Sequence, residues 1–280
     1  EKISKSSSSY DETIDLAANE EGEFFLIFYD EFSNILKFGK SKDGLSYDLS
    51  EIDGFGEYAS LTIGENEKPR VVYNHEKTLR YASYNGKQWQ VEEINDTSAG
   101  EKSIRLKVGK KSPVPQLVYL NDSDQIIHSI RESEGLWSKS IVSTAKGEVS
   151  LALDKNDLPR IAYQGLNDDK IHYVRRLEKT RNGLKTAWID DVPDSSNSSG
   201  TANSMAIDKI NRTHIAYYDE THGSIKYYVE PYYFKYTADL EGKNRNAISG
   251  GDDAVDKSIE IKIPRKNRVE KIGEKCPDNS

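Results

Sequence analysis

One pattern recurs five times along this chain and constrains its fold more than any other feature. Ser150-Leu-Ala-Leu-Asp154 is followed by Arg160-Ile-Ala-Tyr163, and Ser204-Met-Ala-Ile-Asp208 by His214-Ile-Ala-Tyr217. Serine and tyrosine lie 13 residues apart in both. Ser60-Leu-Thr-Ile63 with Arg70-Val-Val-Tyr73 keeps that offset. Ser103-Ile-Arg-Leu106 reaches Gln116-Leu-Val-Tyr119 after 16, a three-residue insertion around Gly109 to Ser112. A worn first copy runs from Asp15-Leu-Ala-Ala18 to Phe25-Leu-Ile-Phe28. The copies start at 15, 60, 103, 150 and 204, so the fold must be built from five similar units.

Each copy has the same internal grammar. An alternating strand leads through a Pro or Gly turn to a second strand that ends in an aromatic residue. An Asn/Asp/Glu turn follows, then a short third strand: Leu36-Lys-Phe38, Leu79-Arg-Tyr81, Ile171-His-Tyr173, Ile225-Lys-Tyr227. A Gly turn comes next, with an aromatic beyond it: Gly44 and Tyr47, Gly86 and Trp89, Gly135 and Trp137, Gly183 and Trp188. A fourth strand closes the unit. No sustained helical period interrupts this, so the reading is all-β. Four short strands per repeat, with turns every few residues, predict the blades of a β-propeller.

The expected organisation is a propeller over residues 15–245, with five four-stranded blades. Residues 1–14 form an N-terminal segment, and 246–280 a loop and strand pair. Within the tail, Ser258-Ile-Glu-Ile261 and Arg268-Val-Glu-Lys271 fall where a further copy would place its first two strands. Strands from both termini could therefore complete a sixth blade and remove exposed sheet edges. Tyr233–Leu240 is expected to be the outer strand of the fifth copy.

Composition excludes several classes. The counts of 39 Lys+Arg against 47 Asp+Glu give a net charge of −8, which argues against a nucleic-acid binder. One cysteine, Cys276, rules out a disulfide scaffold or a Cys-rich zinc module. No apolar run is long enough for a transmembrane helix. The only methionine is Met205, so the chain reads as a processed or trimmed form. Neither HExxH, GxSxG nor a P-loop occurs, and the five histidines show no metal-ligand spacing.

The repeats resemble an extracellular bacterial family of the type Ser-Leu-Ala-x-Asp…Pro-His-Ile-x-Tyr-Tyr-Asp…Leu-Lys-Tyr-Ala…Gly-x-Trp. Ser204–Asp219 with Ile225-Lys-Tyr-Tyr228, and Ser150–Tyr163, match it best. The resemblance spans roughly residues 15–240. It implies a β-propeller used for display, adhesion or ligand binding on secreted and surface proteins. Ser41-Lys-Asp-Gly-Leu-Ser-Tyr47 and Ser83-Tyr-Asn-Gly-Lys-Gln-Trp89 are also similar to the sialidase Asp-box, which in that family is a structural turn. The arginine triad of that family is not evident, so its catalysis does not carry over.

Candidate functional residues come from the turns and from one break in the repeat. In a propeller the second-to-third turns share a face with the connections between blades. Those turns carry Asp30, Glu31, Glu76, Asp122, Asp124, Asp168, Asp169, Asp219 and Glu220 against one base, Lys77, with His75 and His222 nearby. The third-to-fourth turns carry nine bases, including Arg175, Arg176, Lys179, Arg181 and Lys185. An acidic face is therefore expected to meet a cation or a basic partner. Asp122 and Asp124, and Asp168 and Asp169, are candidate calcium ligands, with Asp252, Asp253 and Asp256 as a third group. No other cofactor is expected. Arg105 interrupts a column of small residues (Ala17, Thr62, Ala152, Ala206). It must either enter the central channel or pair with a carboxylate. The aromatic columns are expected to pack between blades, with each Trp holding its outer strand to the next blade.

These features predict a secreted or surface module that recognises a glycan or protein partner on its acidic loop face. Two alternatives stand beside it. One is a propeller glycoside hydrolase or lyase, with Asp154 and Asp208 as the inner-strand-end carboxylates. The other is a structural subunit that self-associates through residues 257–280.

Overall fold

The computed structural model describes residues 14–64, 68–94, 99–177, 187–194, 198–230 and 270–271. Within them the chain is all-β and forms four antiparallel sheets. The first sheet is β1 (Ile14–Ala18), β2 (Phe24–Asp30), β3 (Ile35–Ser41) and β4 (Asp48–Asp53), in chain order. The second repeats it with β5 (Glu57–Ile63), β6 (Pro69–His75), β7 (Thr78–Tyr84) and β8 (Trp89–Ile94).

The third and fourth repeats are joined where the sequence suggested separate sheets. β9 (Ala99–Val108), β10 (Pro115–Asn121) and β11 (Gln125–Ser133) lead into β12 (Leu136–Leu153). β12 is both the outer strand of repeat three and the inner strand of repeat four. It continues to β13 (Pro159–Gly165), β14 (Ile171–Leu177) and β15 (Ala187–Asp191), a seven-stranded sheet. The last sheet is β16 (Ser199–Ile207), β17 (Thr213–Asp219), β18 (Ser224–Val229) and β19 (Glu270–Lys271). None of these sheets closes on itself. Glu270 and Lys271 pair with Tyr227 and Lys226, so this part of the tail is a fourth strand of the fifth repeat and not a second strand of a sixth. Tyr233–Leu240, Asp252, Asp253, Asp256 and Cys276 lie outside the described residues.

Turn chemistry explains the hairpins. Asn34, Asp124, Asp157, Asp169 and Asn211 all have left-handed φ at turn positions, which Asn and Asp tolerate best after Gly. The hairpin between His75 and Thr78 instead puts Glu76 and Lys77 at φ 48° and 69°, a two-residue loop with neither favoured residue. The Asp-box-like turn behaves as a turn: the Asp43 carboxylate accepts Leu45 N–H at 2.8 Å and Ser46 N–H at 3.0 Å.

The core is a series of four seams, one between each pair of successive repeats. Tyr73, Tyr119, Tyr163 and Tyr217 are fully buried there. Their hydroxyls account for the choice of Tyr over Phe. Tyr73 donates to Asp53 at 2.6 Å, Tyr163 to Ser143 at 2.9 Å and Tyr217 to Asp194 at 2.9 Å, each acceptor on or just after the outer strand of the preceding repeat. The Trp column also faces backwards, correcting the expected direction. Trp89 packs on Phe38, Trp137 on Tyr81 and Trp188 on His128, with centroids 5.1, 5.4 and 5.5 Å apart. Glu92 reinforces one seam by accepting two Arg131 bonds at 2.8 Å and the Trp137 indole N–H at 3.0 Å. The insertion at Gly109–Ser112 has a similar role. Its successive amides at 110, 111 and 112 all donate to the Asp157 carboxylate of the next repeat.

Among the described residues the series ends in two faces that no further repeat covers. Leu16 is 57% exposed, whereas its repeat equivalents Leu61, Ile104 and Leu151 are buried. Ile225 is 53% exposed, whereas Leu36, Leu79, Ile126 and Ile171 are fully buried.

Candidate functional site

Inner strands from all five repeats surround one cavity of about 380 Å³. β1 contributes Asp15, β5 Tyr58 and Ser60, β9 Ser103, Arg105 and Lys107, β12 Glu148 and Ser150, and β16 Ser204 and Met205. Pleating explains this lining. On β9 the alternate residues Ile104 and Leu106 enter the seam, which leaves Ser103, Arg105 and Lys107 on the opposite side.

The repeat serines stitch the wall together. Ser60 Oγ accepts Leu106 N–H at 3.1 Å, and Ser103 Oγ accepts Val149 N–H at 3.0 Å. Ser150 Oγ donates to Asn203 O at 2.9 Å. In the worn first copy Asp15 takes the serine position, accepting Leu61 N–H at 2.8 Å and the Ser60 hydroxyl at 3.3 Å. The strands bulge at the cavity rim, with the register slipping between Glu57 and Ser60, Lys146 and Val149, and Ser199 and Asn203. Gly147 and Gly200 take positive φ in two of these bulges; in the third, Tyr58 does so at φ 49°. A bulky residue in that conformation is strained, and Tyr58 faces the cavity.

Both outcomes expected for Arg105 occur together. It lines the cavity, and its guanidinium stands 3.9 Å from Glu148, with both side chains about two-fifths exposed. Such a pair is worth about 0–1 kcal/mol. The ammonium of Lys107, one pleat further along, has neither an ion pair nor a hydrogen bond among the described residues. Crowding by protein pushes its pKa down, Asp15 pulls it back up, and the neighbouring Arg105 pushes it down again; the net shift is downward. Its surface nevertheless remains solvent-accessible, as a group inside an open cavity must be.

The acidic turns lie beside the inter-repeat connections, as the strand order demands: Leu36 N–H bonds Gly54 O and Ser199 N–H bonds Asp169 O. Most of their charges are matched locally. Asp30 binds Lys37 and its own turn, and Asp169 pairs with Lys146. Asp219 is fully buried; burial would raise its pKa, but Lys226 and His222 outweigh that and hold it at about 2. Glu220 accepts the Ser198 and Thr201 hydroxyls, and His75 bonds Phe55 O. Asp168 and Asp190 flank His172 at 3.1 and 2.9 Å. Their bonds raise the imidazole pKa, led by Asp190 against a smaller effect of burial. Glu31 and Asp124 are part-buried in their turns, while Asp122 is exposed. Among the described residues no three His, Cys, Asp or Glu side chains gather into a metal site.

Asp154 and Asp208 are occupied as turn residues. Asp154 accepts Asn156 and Leu158 N–H, and Asp208 accepts Ile210 and Arg212 N–H. His128 is buried against Trp188 with its pKa pushed down to about 3, chiefly by burial, so it stays neutral.

The sequence reading finds Arg105 but misses Lys107, Glu148 and Tyr58. Period-two counting along each inner strand reaches all three: Lys107 is two beyond Arg105, and Glu148 and Tyr58 are two before their repeat serines.

No protein-family profile matches the chain, and no curated protein matches it in sequence. Solved structures do resemble its fold. AofleA from Arthrobotrys oligospora is 10% identical with a TM-score of 0.56, over 75% of this chain and 66% of that one. A point mutant of Aleuria aurantia lectin in complex with Fucα1-6GlcNAc is 11% identical with a TM-score of 0.55, over 78% of this chain and 74% of the lectin. NanB sialidase from Streptococcus pneumoniae is 11% identical with a TM-score of 0.50, over 66% of this chain, which spans 32% of that enzyme. At these identities the likeness concerns the fold: repeated antiparallel sheets of the lectin and sialidase kind.

Proposed function

We propose that this chain is a glycan-binding β-propeller module of a secreted or cell-surface protein, with its binding site in the central cavity. The observation that carries this reading is the cavity wall itself. Five successive inner strands turn hydroxyls, two carboxylates, two cations and one strained tyrosine towards a single concavity, within the size range of about 300–1,000 Å³ typical of small-molecule sites. Hydroxyl-rich ligands are recognised by such convergent polar groups beside an aromatic face. The lectin and sialidase folds that this chain resembles support the same class of ligand.

In this reading the five repeats are five blades. The ring has a sixth position between the first and last, where the exposed Leu16 and Ile225 faces await a neighbour.

A glycan array probed with the wild type and with Ser204→Trp, with and without calcium, tests the assignment. Ser204 is exposed in the cavity and its hydroxyl makes no hydrogen bond among the described residues, so the indole fills space without breaking the wall. The expected result is hits that Ser204→Trp abolishes, independent of calcium. An array silent to the wild type overturns glycan binding. Hits insensitive to Ser204→Trp move the site elsewhere, and hits that need calcium return it to the acidic turns.

A further inference from the structure

We infer that the glycan taken by this cavity carries an anionic substituent, a carboxylate or a sulfate, held between Arg105 and Lys107. The inference rests on the glycan reading and narrows it to a ligand class.

The geometry of one strand carries it. Arg105 and Lys107 occupy successive inward positions on β9, so their side chains emerge on the same side about 7 Å apart along the strand. Two like charges confined to one wall repel, and the wall does little to offset them. Glu148 approaches Arg105 only to 3.9 Å, and the guanidinium's close bond is to a neutral acceptor, the Ile104 carbonyl at 2.8 Å. Asp15, the anion that acts on Lys107, already accepts the Leu61 amide and the Ser60 hydroxyl. The ammonium is left without a partner among the described residues. An anion placed between the two cations supplies that partner, and the guanidinium fork suits both carboxylate and sulfate oxygens.

The overall charge of −8 does not oppose this. Several acids of the turns are neutralised where they stand, by Lys37 on Asp30, Lys146 on Asp169 and Lys226 on Asp219. The Arg105 position also stands apart from its repeat equivalents, which are Ala or Thr. Packing alone therefore does not demand a charge there. Lys107 lies in the one repeat whose inner strand is followed by the three-residue insertion.

Binding of an oligouronide and its carboxyl-reduced counterpart, and of a sulfated oligosaccharide and its desulfated counterpart, tests the inference by titration calorimetry. The wild type should bind at least one acidic member at least tenfold more tightly than its neutral counterpart. Lys107→Gln and Arg105→Gln should each remove most of that preference, and Lys107→Arg should keep it. Thermal melts confirm that each variant is folded. The pair that responds distinguishes carboxylate from sulfate. Equal binding of acidic and neutral members by the wild type overturns the anionic inference while leaving glycan binding intact. A preference that survives both Gln variants overturns the assignment to these cations. No binding of any glycan, here and on the array, overturns both readings.

Discussion

Glu92 offers the sharpest test of how the repeats are held together. Its carboxylate comes from the outer strand of repeat two and accepts four donors from repeat three: Arg131 twice, the Trp137 indole and the Gly135 amide. The glutamate side chain is 13% exposed and that of Arg131 26%, so the pair lies between the surface and interior limits. Exposed pairs are worth about 0.2–1 kcal/mol, and breaking a buried one costs about 3–5. Glu92→Ala should therefore cost about 2–3 kcal/mol. For a chain of this size that lowers the melting temperature by about 5–10 °C.

The cost should be shared with Arg131. In a double-mutant cycle with Arg131→Met, measured by urea unfolding, the coupling should reach about 1–2 kcal/mol. Burial alone would raise the Glu92 pKa, but Arg131 and the other donors outweigh it and hold the group below its ordinary value of 4.5. A depressed carboxylate stabilises the fold fully above the unfolded pKa, and that contribution is lost as pH falls through the folded value. The difference between wild type and Glu92→Ala should therefore shrink in acid below about pH 4. A coupling under about 0.5 kcal/mol, or a difference unchanged from pH 7 to pH 3, would refute the idea that this carboxylate clamps the seam.

Other substitutions probe the same architecture. Tyr73→Phe leaves Asp53 with Arg80 but without its tyrosine donor, and should cost about 1–2 kcal/mol in chemical unfolding. Asp157→Ala leaves three amides of the Gly109–Ser112 insertion without their shared acceptor, costing about 1–2 kcal/mol; proteolysis should then cut first within that insertion. Lys77→Gly relieves a left-handed non-glycine residue in a two-residue hairpin and should raise stability by about 1 kcal/mol. His172 has a raised pKa, so its bonds to Asp168 and Asp190 stabilise fully below the unfolded value of about 6.5. They weaken as pH rises through the folded value. The wild-type melting temperature should fall more between pH 6 and pH 9 than that of His172→Asn.

The repeat starts, the strand order within a unit and the buried tyrosine column are legible in the sequence, because each reflects local periodicity copied five times. What escapes is set between units. The backward contact of Trp137 on Tyr81 depends on how neighbouring sheets stack, and no spacing encodes that direction. The continuous strand Leu136–Leu153 hides a boundary that the repeat marks clearly. The insertion at Gly109–Ser112 reads as a lengthened turn, yet it exists to hold Asp157 from 45 or more residues away. The acidic turns look like a site because their partners sit on the flanking strands and outside the turns: Lys37 for Asp30, Lys226 for Asp219 and Lys146 for Asp169. Arg105 stands out since four equivalents are small, whereas Lys107 and Glu148 are charges among ordinary strand polarity.

Hydrogen exchange on the protein with its best array ligand tests the central claim most directly, because it locates binding without altering a residue. Binding in the cavity predicts slowed exchange across the inner strands Glu57–Ile63, Ala99–Val108 and Ser199–Ile207 and the inner half of Leu136–Leu153. These strands are far apart in sequence and meet at one wall. Protection confined to the turns around Asp122, Asp168 and Glu220, with the inner strands unchanged, would contradict it.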